Sequence, residues 1–246
     1  SATEASSRLG PYQEDSRAQA QEVATILQEL TRDKAVFTER DIDAYLKEYV
    51  PPDQQNQIKT ELFRQAVHLV AEELPGKRTL ARFTTREVLA EEEQAQTAAA
   101  TLRSQPAKRL DPAAIEAAIA KRTMRPDQLD AFRRGLQANG IGVVQGRAGT
   151  GKSYMMSAWM EAHRDSGHRV IGLAPTNIVA QAMIADGFTE GKTVDSILYA
   201  AKKGLLDWDA NTVLILDEAG MVSNDRMKTL LELAAERGAN ILMVGD

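Results

Sequence analysis

The sequence predicts an α/β fold built on a parallel sheet, preceded by a smaller, mainly helical unit. Two observations carry that reading. From Ile141 onward, four short apolar runs (IGVVQ, RVIGLA, TVLILD and NILMVGD) read as buried strands, and helical sequence separates them at βαβ spacing. Before residue 105 the apolar residues recur instead at helical spacing. The boundary is placed near residues 104–110, giving a helical, winged-helix-like accessory unit over residues 1–105 and the α/β unit over 106–246.

Each element has its own warrant. Residues 1–12 are small and polar and read as a mobile tail. Val23, Ile26, Leu27 and Leu30 mark the first helix. A second starts at FTERDIDAYL, where Thr38 and Asp41 have capping-box spacing and Phe37 can staple onto Ile42. FTTREVLAEEE repeats the device with Thr84 and Glu87, and with Phe83 and Val88. Between them, Ile58, Leu62, Ala66 and Val70 follow helical spacing, while HLVAEELPGKRTLARF can form a hairpin turning at Pro75-Gly76. Helices with a hairpin suit a winged-helix-like unit. The Ala-rich stretch from Gln94 to Ala120 reads as a helix, a break and a second helix that Asp111-Pro112 opens.

Composition narrows the function classes. The absence of cysteine removes disulfides, thiolate metal sites and a cysteine nucleophile. With neither an apolar run of about 18 residues nor a signal-peptide core, the expectation is a cytoplasmic protein with no membrane insertion. Charge is uneven: residues 1–102 carry 12 basic and 18 acidic groups, 103–134 carry 8 and 4, and 135–246 carry 10 and 13. The basic middle segment reads either as a solvated helix face or as a phosphate-backbone contact surface.

GRAGTGKS satisfies G-x-x-x-x-G-K-[ST] between a strand and a helix, the context a phosphate loop needs. Its residues are Gly146, Arg147, Ala148, Gly149, Thr150, Gly151, Lys152 and Ser153. Glycines there let backbone N–H groups converge on phosphate oxygens at a helix N-terminus. Lys152 would supply charge to the β/γ-phosphates of ATP, and Ser153 would ligate Mg²⁺. TVLILDEAGM brings Asp217 to the end of a buried strand to orient Mg²⁺, with Glu218 placed to take a proton from the attacking water. Gln128, eighteen residues before Gly146, could pair with the adenine edge or be a surface glutamine. Thr176 and Asn177 in GLAPTN would project from the C-terminal edge of the sheet, or cap a turn. His68, His163 and His168 show no ligand spacing and read as surface or packing residues. Trp159 and Trp208 could stack bases, with helical core the better reading for Trp159.

These motifs, in this order and spacing, resemble superfamily 1 helicases, and GRAGTGKS with DEAGM is most similar to the RecD-like branch. The helicase halves of Ti-plasmid-type conjugative relaxases are the nearest likeness, which covers residues 80–246 well and residues 1–80 loosely. Gln128 matches the Q motif, Gly146–Ser153 motif I, APTN motif Ia, DEAG motif II, and VGD the start of motif III. The resemblance implies a partial RecA-like domain, ATP and Mg²⁺ as cofactors, and 5′-to-3′ movement on DNA. It also implies single-stranded DNA contacts from Thr176, Asn177 and Thr193. Helicases of this type close a second RecA-like domain over ATP, whose arginine fingers are worth about 10³–10⁵ in rate in related reactions. The present residues, which are expected to stop inside motif III, are therefore expected to hydrolyse ATP slowly and not to unwind DNA. No nicking is expected without a histidine metal cluster. The resemblance also suggests a bacterial parent translocated to recipient cells. A competing reading is a recognition module read by a type IV secretion coupling protein; APTN and DEAGM count against an unrelated ATPase switch.

Overall fold

The computed structural model describes residues 11–32, 34–69, 81–147 and 149–245. Its chain forms two compact units, one running to Ala90 and one from Glu91.

The first unit contains α1 (Pro11–Thr31), β1 (Phe37–Thr38), α2 (Glu39–Tyr49), α3 (Gln55–Gln65), β2 (Val67–Leu69) and β3 (Arg82–Thr84). Its strands pair antiparallel in the order β1-β3-β2. The expected helices and a pair of antiparallel strands are present, and β1, a strand the sequence did not suggest, joins them. Val23, Ile26, Leu27 and Leu30 form one stripe of α1 and meet Ile42, Leu46, Ile58 and Leu62 in a single core. Phe37 and Phe83, opposite each other in the ladder, stack with ring centroids 6.0 Å apart in that core.

Local readings fare differently here. The Thr38 backbone N–H and hydroxyl both donate to the Asp41 carboxylate, as a capping box requires of Asp41, and Phe37 and Ile42 are fully buried together. The helical reading through Ala66 is corrected: α3 stops at Gln65 and Val67 pairs with Thr84, which favours the hairpin. Its turn at Pro75-Gly76 lies outside the described residues, as do residues 1–10 of the expected tail. The second cap shifts by one residue. Thr84 closes β3 and donates to the Ala35 carbonyl, and Thr85 instead accepts from the Val88 N–H.

Helix α4 (Arg86–Ser104) begins in the first unit and continues into the second. The division thus falls earlier than residue 105, because Ala95, Ala98, Ala99 and Leu102 are packed into the second unit's core. Asp111 then caps α5 (Pro112–Ala120), accepting from Ala113 N–H at 2.9 Å, with Pro112 at the first position.

The remaining elements are α6 (Pro126–Leu136), β4 (Ile141–Gln145), α7 (Lys152–Asp165), β5 (Arg169–Ala174), α8 (Asn177–Ala185), β6 (Gly191–Thr193), α9 (Val194–Lys202), β7 (Thr212–Leu216), α10 (Asn224–Arg237) and β8 (Asn240–Gly245). Five strands form a parallel sheet in the order β4-β8-β7-β5-β6. Alternate strand residues face opposite layers. Val170, Val213, Ile215, Leu242 and Val244 pack with Phe132, Met156 and Trp159 on one side. Ile171, Leu173, Leu214, Leu216 and Ile241 pack with Leu102, Ile197 and Leu230 on the other. Because both faces of β5, β7 and β8 are covered, these three strands read as unbroken apolar runs. The architecture is that of a partial RecA-like phosphate-loop domain, as expected. No helix among the described residues is long and apolar enough to cross a membrane.

Candidate functional site

At the end of β4 the chain turns through the glycine-rich loop and re-enters helix at α7, whose N-cap is Gly151. Gly149 and Gly151 hold φ of 77° and 88°, a region that a side chain makes costly. Two bonds close the loop on itself: the Thr150 N–H and hydroxyl both donate to the Arg147 carbonyl, at 3.2 and 2.8 Å. A third, from Gly146 N–H to Gly245 O at 3.0 Å, ties it to the end of β8. Lys152 lies back over the loop, its Nζ donating to the Gly146 carbonyl at 2.6 Å. Ser153 is exposed in the first turn of α7, and Arg147 is exposed in the loop; Ala148 lies outside the described residues. A cation, a helix N-terminus and left-handed glycines together form a cradle for phosphate oxygens.

Gln128 stands at the third position of α6, and its amide spans two elements. Its Oε1 accepts from the Arg125 backbone N–H at 3.0 Å, and its Nε2 donates to the Thr150 carbonyl at 2.9 Å. One amide hydrogen and one lone pair are left over. Gln128 is therefore no stray surface glutamine: it braces the phosphate loop against α6.

Asp217 and Glu218 follow β7, on the same edge of the sheet. The Asp217 N–H donates to Leu173 O at 2.9 Å, continuing the ladder, and its Oδ1 accepts from Glu218 N–H at 2.8 Å. Burial pushes the Asp217 carboxyl above the usual carboxylate range, against the pull of the Glu218 N–H and the Lys152 ammonium, with Asp186 adding to the rise. A half-buried carboxylate facing a lysine and a second acid fits a divalent cation, whose charge would hold it ionised. Glu218 has φ 51° and ψ 42°, the one non-glycine residue with positive φ among those described. Backbone in that region costs about 1–3 kcal/mol and is found disproportionately at functional positions. The short 3-10 turn Ala219–Met221 then brings Ala219 and Gly220 beside Gly245.

Two further helices start on this edge. Thr176 caps α8, accepting from Val179 N–H at 3.4 Å, and leaves Asn177 exposed in the first turn. Thr193 ends β6 opposite Ala174 and caps α9, accepting from Ser196 N–H at 3.1 Å. Both thus occupy cap positions beside adjacent strands, on the edge that also bears the loop and Asp217.

Other sequence readings change. Trp208 is buried in the sheet's second layer and Trp159 in its first, so neither offers a face for base stacking. His163 is buried, its Nδ1 without a hydrogen-bond partner, and among the described residues no cluster of three or more His, Cys, Asp or Glu side chains could hold a metal ion by itself. The basic middle segment is largely consumed internally. Arg122 and Lys121 bond Glu161, Arg125 pairs with Asp127, Arg134 with Asp130, and Lys108 donates to the Ala210 and Gly238 carbonyls. Sequence reasoning missed Asp186, which no motif marks and which acts on Asp217 only through the fold. It also missed the link from Gly245 to Gly146, although VGD had been singled out.

In sequence the chain is similar to known proteins. An AAA domain family matches residues 123–246. "Conjugal transfer protein TraA" of Rhizobium radiobacter is 32% identical over 230 residues, covering 91% of this chain and 21% of the relative. "Probable conjugal transfer protein TraA" of Sinorhizobium fredii is 31% identical over 228 residues, 90% of this chain and 21% of the relative. "Multifunctional conjugation protein TraI" of Escherichia coli is 33% identical over 112 residues, 42% of this chain and 6% of the relative. The chain thus spans about a fifth of the length of its TraA relatives.

Proposed function

The chain belongs to this AAA-domain family, in its RecD-like helicase branch, and from that membership and the loop–carboxylate geometry we propose an ATP-binding module of a 5′-to-3′ DNA helicase acting in conjugative DNA transfer. Nucleotide binding with a divalent cation follows from the family and its phosphate loop; ATP and Mg²⁺ are the specific proposal. The observation that carries it is the shared sheet edge, where the left-handed loop, Lys152 and the half-buried Asp217 converge.

Each residue then has a role. Gly146, Arg147, Gly149, Thr150 and Gly151 would present backbone to the phosphates, a role the motif also assigns to Ala148, and Lys152 would exchange its bond to Gly146 O for β/γ-phosphate oxygens. Ser153 and Asp217 would hold Mg²⁺, which supplies charge neutralisation at the triphosphate. Glu218 would accept the proton of the attacking water. Gln128 still has one donor and one acceptor, the pattern that matches adenine's N7 and N6 amine and mismatches guanine's two acceptors. Thr176, Asn177 and Thr193 would meet the single-stranded DNA backbone, the two threonines through hydroxyl hydrogens still available beside the caps they make and Asn177 through its exposed amide. By itself the chain is expected to hydrolyse ATP slowly and not to unwind DNA.

Equilibrium binding of ATP and of a single-stranded oligonucleotide, at low salt, tests the proposal on the chain and on Lys152→Ala. Loss of a charged hydrogen-bond donor should weaken ATP roughly ten- to hundredfold. Unchanged ATP affinity in the variant, or no DNA binding by the unmodified chain, would count against it. Capture of a type IV coupling protein, indifferent to Lys152→Ala, would favour the recognition-module reading instead.

A further inference from the structure

A part-buried ionic cluster holds the α5–α6 connection against α7, and the phosphate loop does not account for it. The Arg122 guanidinium, its side chain 8% exposed, forms two bonds to Glu161, at 3.0 and 2.8 Å. Its Nη1 also donates to Ala118 O at 3.1 Å, and the group lies over the Tyr154 ring, 5.6 Å from the centroid. Lys121 adds a second cation to Glu161 at 3.2 Å. From the first turn of α7, the Tyr154 hydroxyl accepts from the Thr123 backbone N–H at 2.9 Å. Residues 121–123 are thereby pinned to α7 from two of its turns, immediately before Pro126 opens the helix that carries Gln128.

Burying a guanidinium and a carboxylate is costly, and an apolar contact could staple two helices as strongly. What an ion pair and an oriented hydroxyl add is a defined position. Position matters here, because Gln128 meets the phosphate loop through one bond to Thr150 O, and its leftover hydrogen and lone pair can read a base edge only from the right place. We propose that Arg122, Glu161 and Tyr154 form a positioning cluster that fixes Gln128 against the phosphate loop and so sets the purine selectivity of the nucleotide site. This inference rests on the ATP reading above.

The test measures affinities of ATP, GTP and inorganic tripolyphosphate, each with Mg²⁺, for the full chain and for Tyr154→Phe, Glu161→Gln, Glu161→Asp and Gln128→Ala. Tyr154→Phe keeps the ring and the ion pair and removes only the acceptor for Thr123. It should lower the ATP-to-GTP affinity ratio roughly five- to tenfold, the worth of one misplaced hydrogen bond, and leave tripolyphosphate binding unchanged. Glu161→Gln should shift the ratio the same way, with partial recovery in Glu161→Asp. An unchanged ratio in a folded Tyr154→Phe variant overturns the inference, as does equal weakening of all three ligands. If Glu161→Gln does not fold, Tyr154→Phe decides alone. Absence of purine preference in the unmodified chain, or a ratio indifferent to Gln128→Ala, overturns the adenine reading itself and the inference with it.

Discussion

The Gly146 N–H donates to the Gly245 carbonyl at 3.0 Å, so the phosphate loop begins with a bond to the end of β8. Gly245 in turn lies beside the backbone of Ala219 and Gly220, just past the acidic pair Asp217-Glu218. The loop, the end of β8 and the carboxylate turn therefore share one backbone junction. Any change of charge at the phosphates has a direct mechanical route to both neighbouring strands.

At Gly151 two constraints coincide. Its φ is 88°, and an added Cβ would stand 2.7 Å from Gln128 Nε2. Gly149 has a similar φ of 77° but open space around it. Gly149→Ala should cost about 1–2 kcal/mol, the left-handed penalty alone. Gly151→Ala should cost more, about 2–4 kcal/mol, and should also weaken ATP binding by displacing Gln128. Thermal melts with a nucleotide titration of each variant check this; equal effects would mean that Gln128 yields freely.

Acid should destabilise the fold in two stages. Burial, followed by the charges of His168 and Lys108, lowers the His163 pKa from 6.5 to about 3. A folded value below the unfolded one means that the unfolded chain binds the proton first. Stability is then full above pH 6.5 and declines as pH falls toward 3, by roughly 2 kcal/mol at pH 5. Glu161, held at about 2 by Arg122, and Asp41, held at about 2 by Lys34 and Thr38, act in the same sense below their ordinary values of 4.5 and 3.8. Urea denaturation at pH 7 and pH 5 should show the first stage in the native chain and its loss in His163→Phe. A persisting slope in that variant would assign the effect elsewhere.

Glu218→Gln separates proton transfer from binding. The amide keeps the shape of the turn and cannot take a proton from water, so single-turnover ATP hydrolysis should fall about 10²–10⁴-fold. ATP affinity should stay within about twofold, because no phosphate contact is assigned to Glu218. A parallel loss of affinity would show that the carboxylate holds the metal or the turn rather than the water.

Most of the sheet was legible because β5, β7 and β8 are apolar on both faces and β4 is an apolar run at its edge. IGVVQ, RVIGLA, TVLIL and NILMVG became β4, β5, β7 and β8 almost residue for residue. Strands β1 and β6 were not, since two or three residues such as FT and GKT carry no period and exist only through partners far away in sequence. The cap at Thr84 was misplaced by one residue because FTTRE offers two threonines, and only strand pairing with Val67 decides between them. Among site residues, the loop and the acidic pair were legible from spacing. The brace by Gln128, the field of Asp186 and the Arg122–Glu161 pair were not. Each joins residues that a motif cannot relate, the last pair standing 39 positions apart.

Among the described residues β4 pairs with β8 and no other strand, and its partner residues lie far along the chain, as Ile141 with Ile241. Closing so long an interval is slow, since chain entropy is surrendered before the ladder rewards it. During synthesis the β5–β7 ladder can form before β8, which lies between β7 and β4, is there to pair with β4. The phosphate cradle is thus a late product of folding, and a half-made chain has a hydrophobic sheet well before it has anywhere to hold a nucleotide.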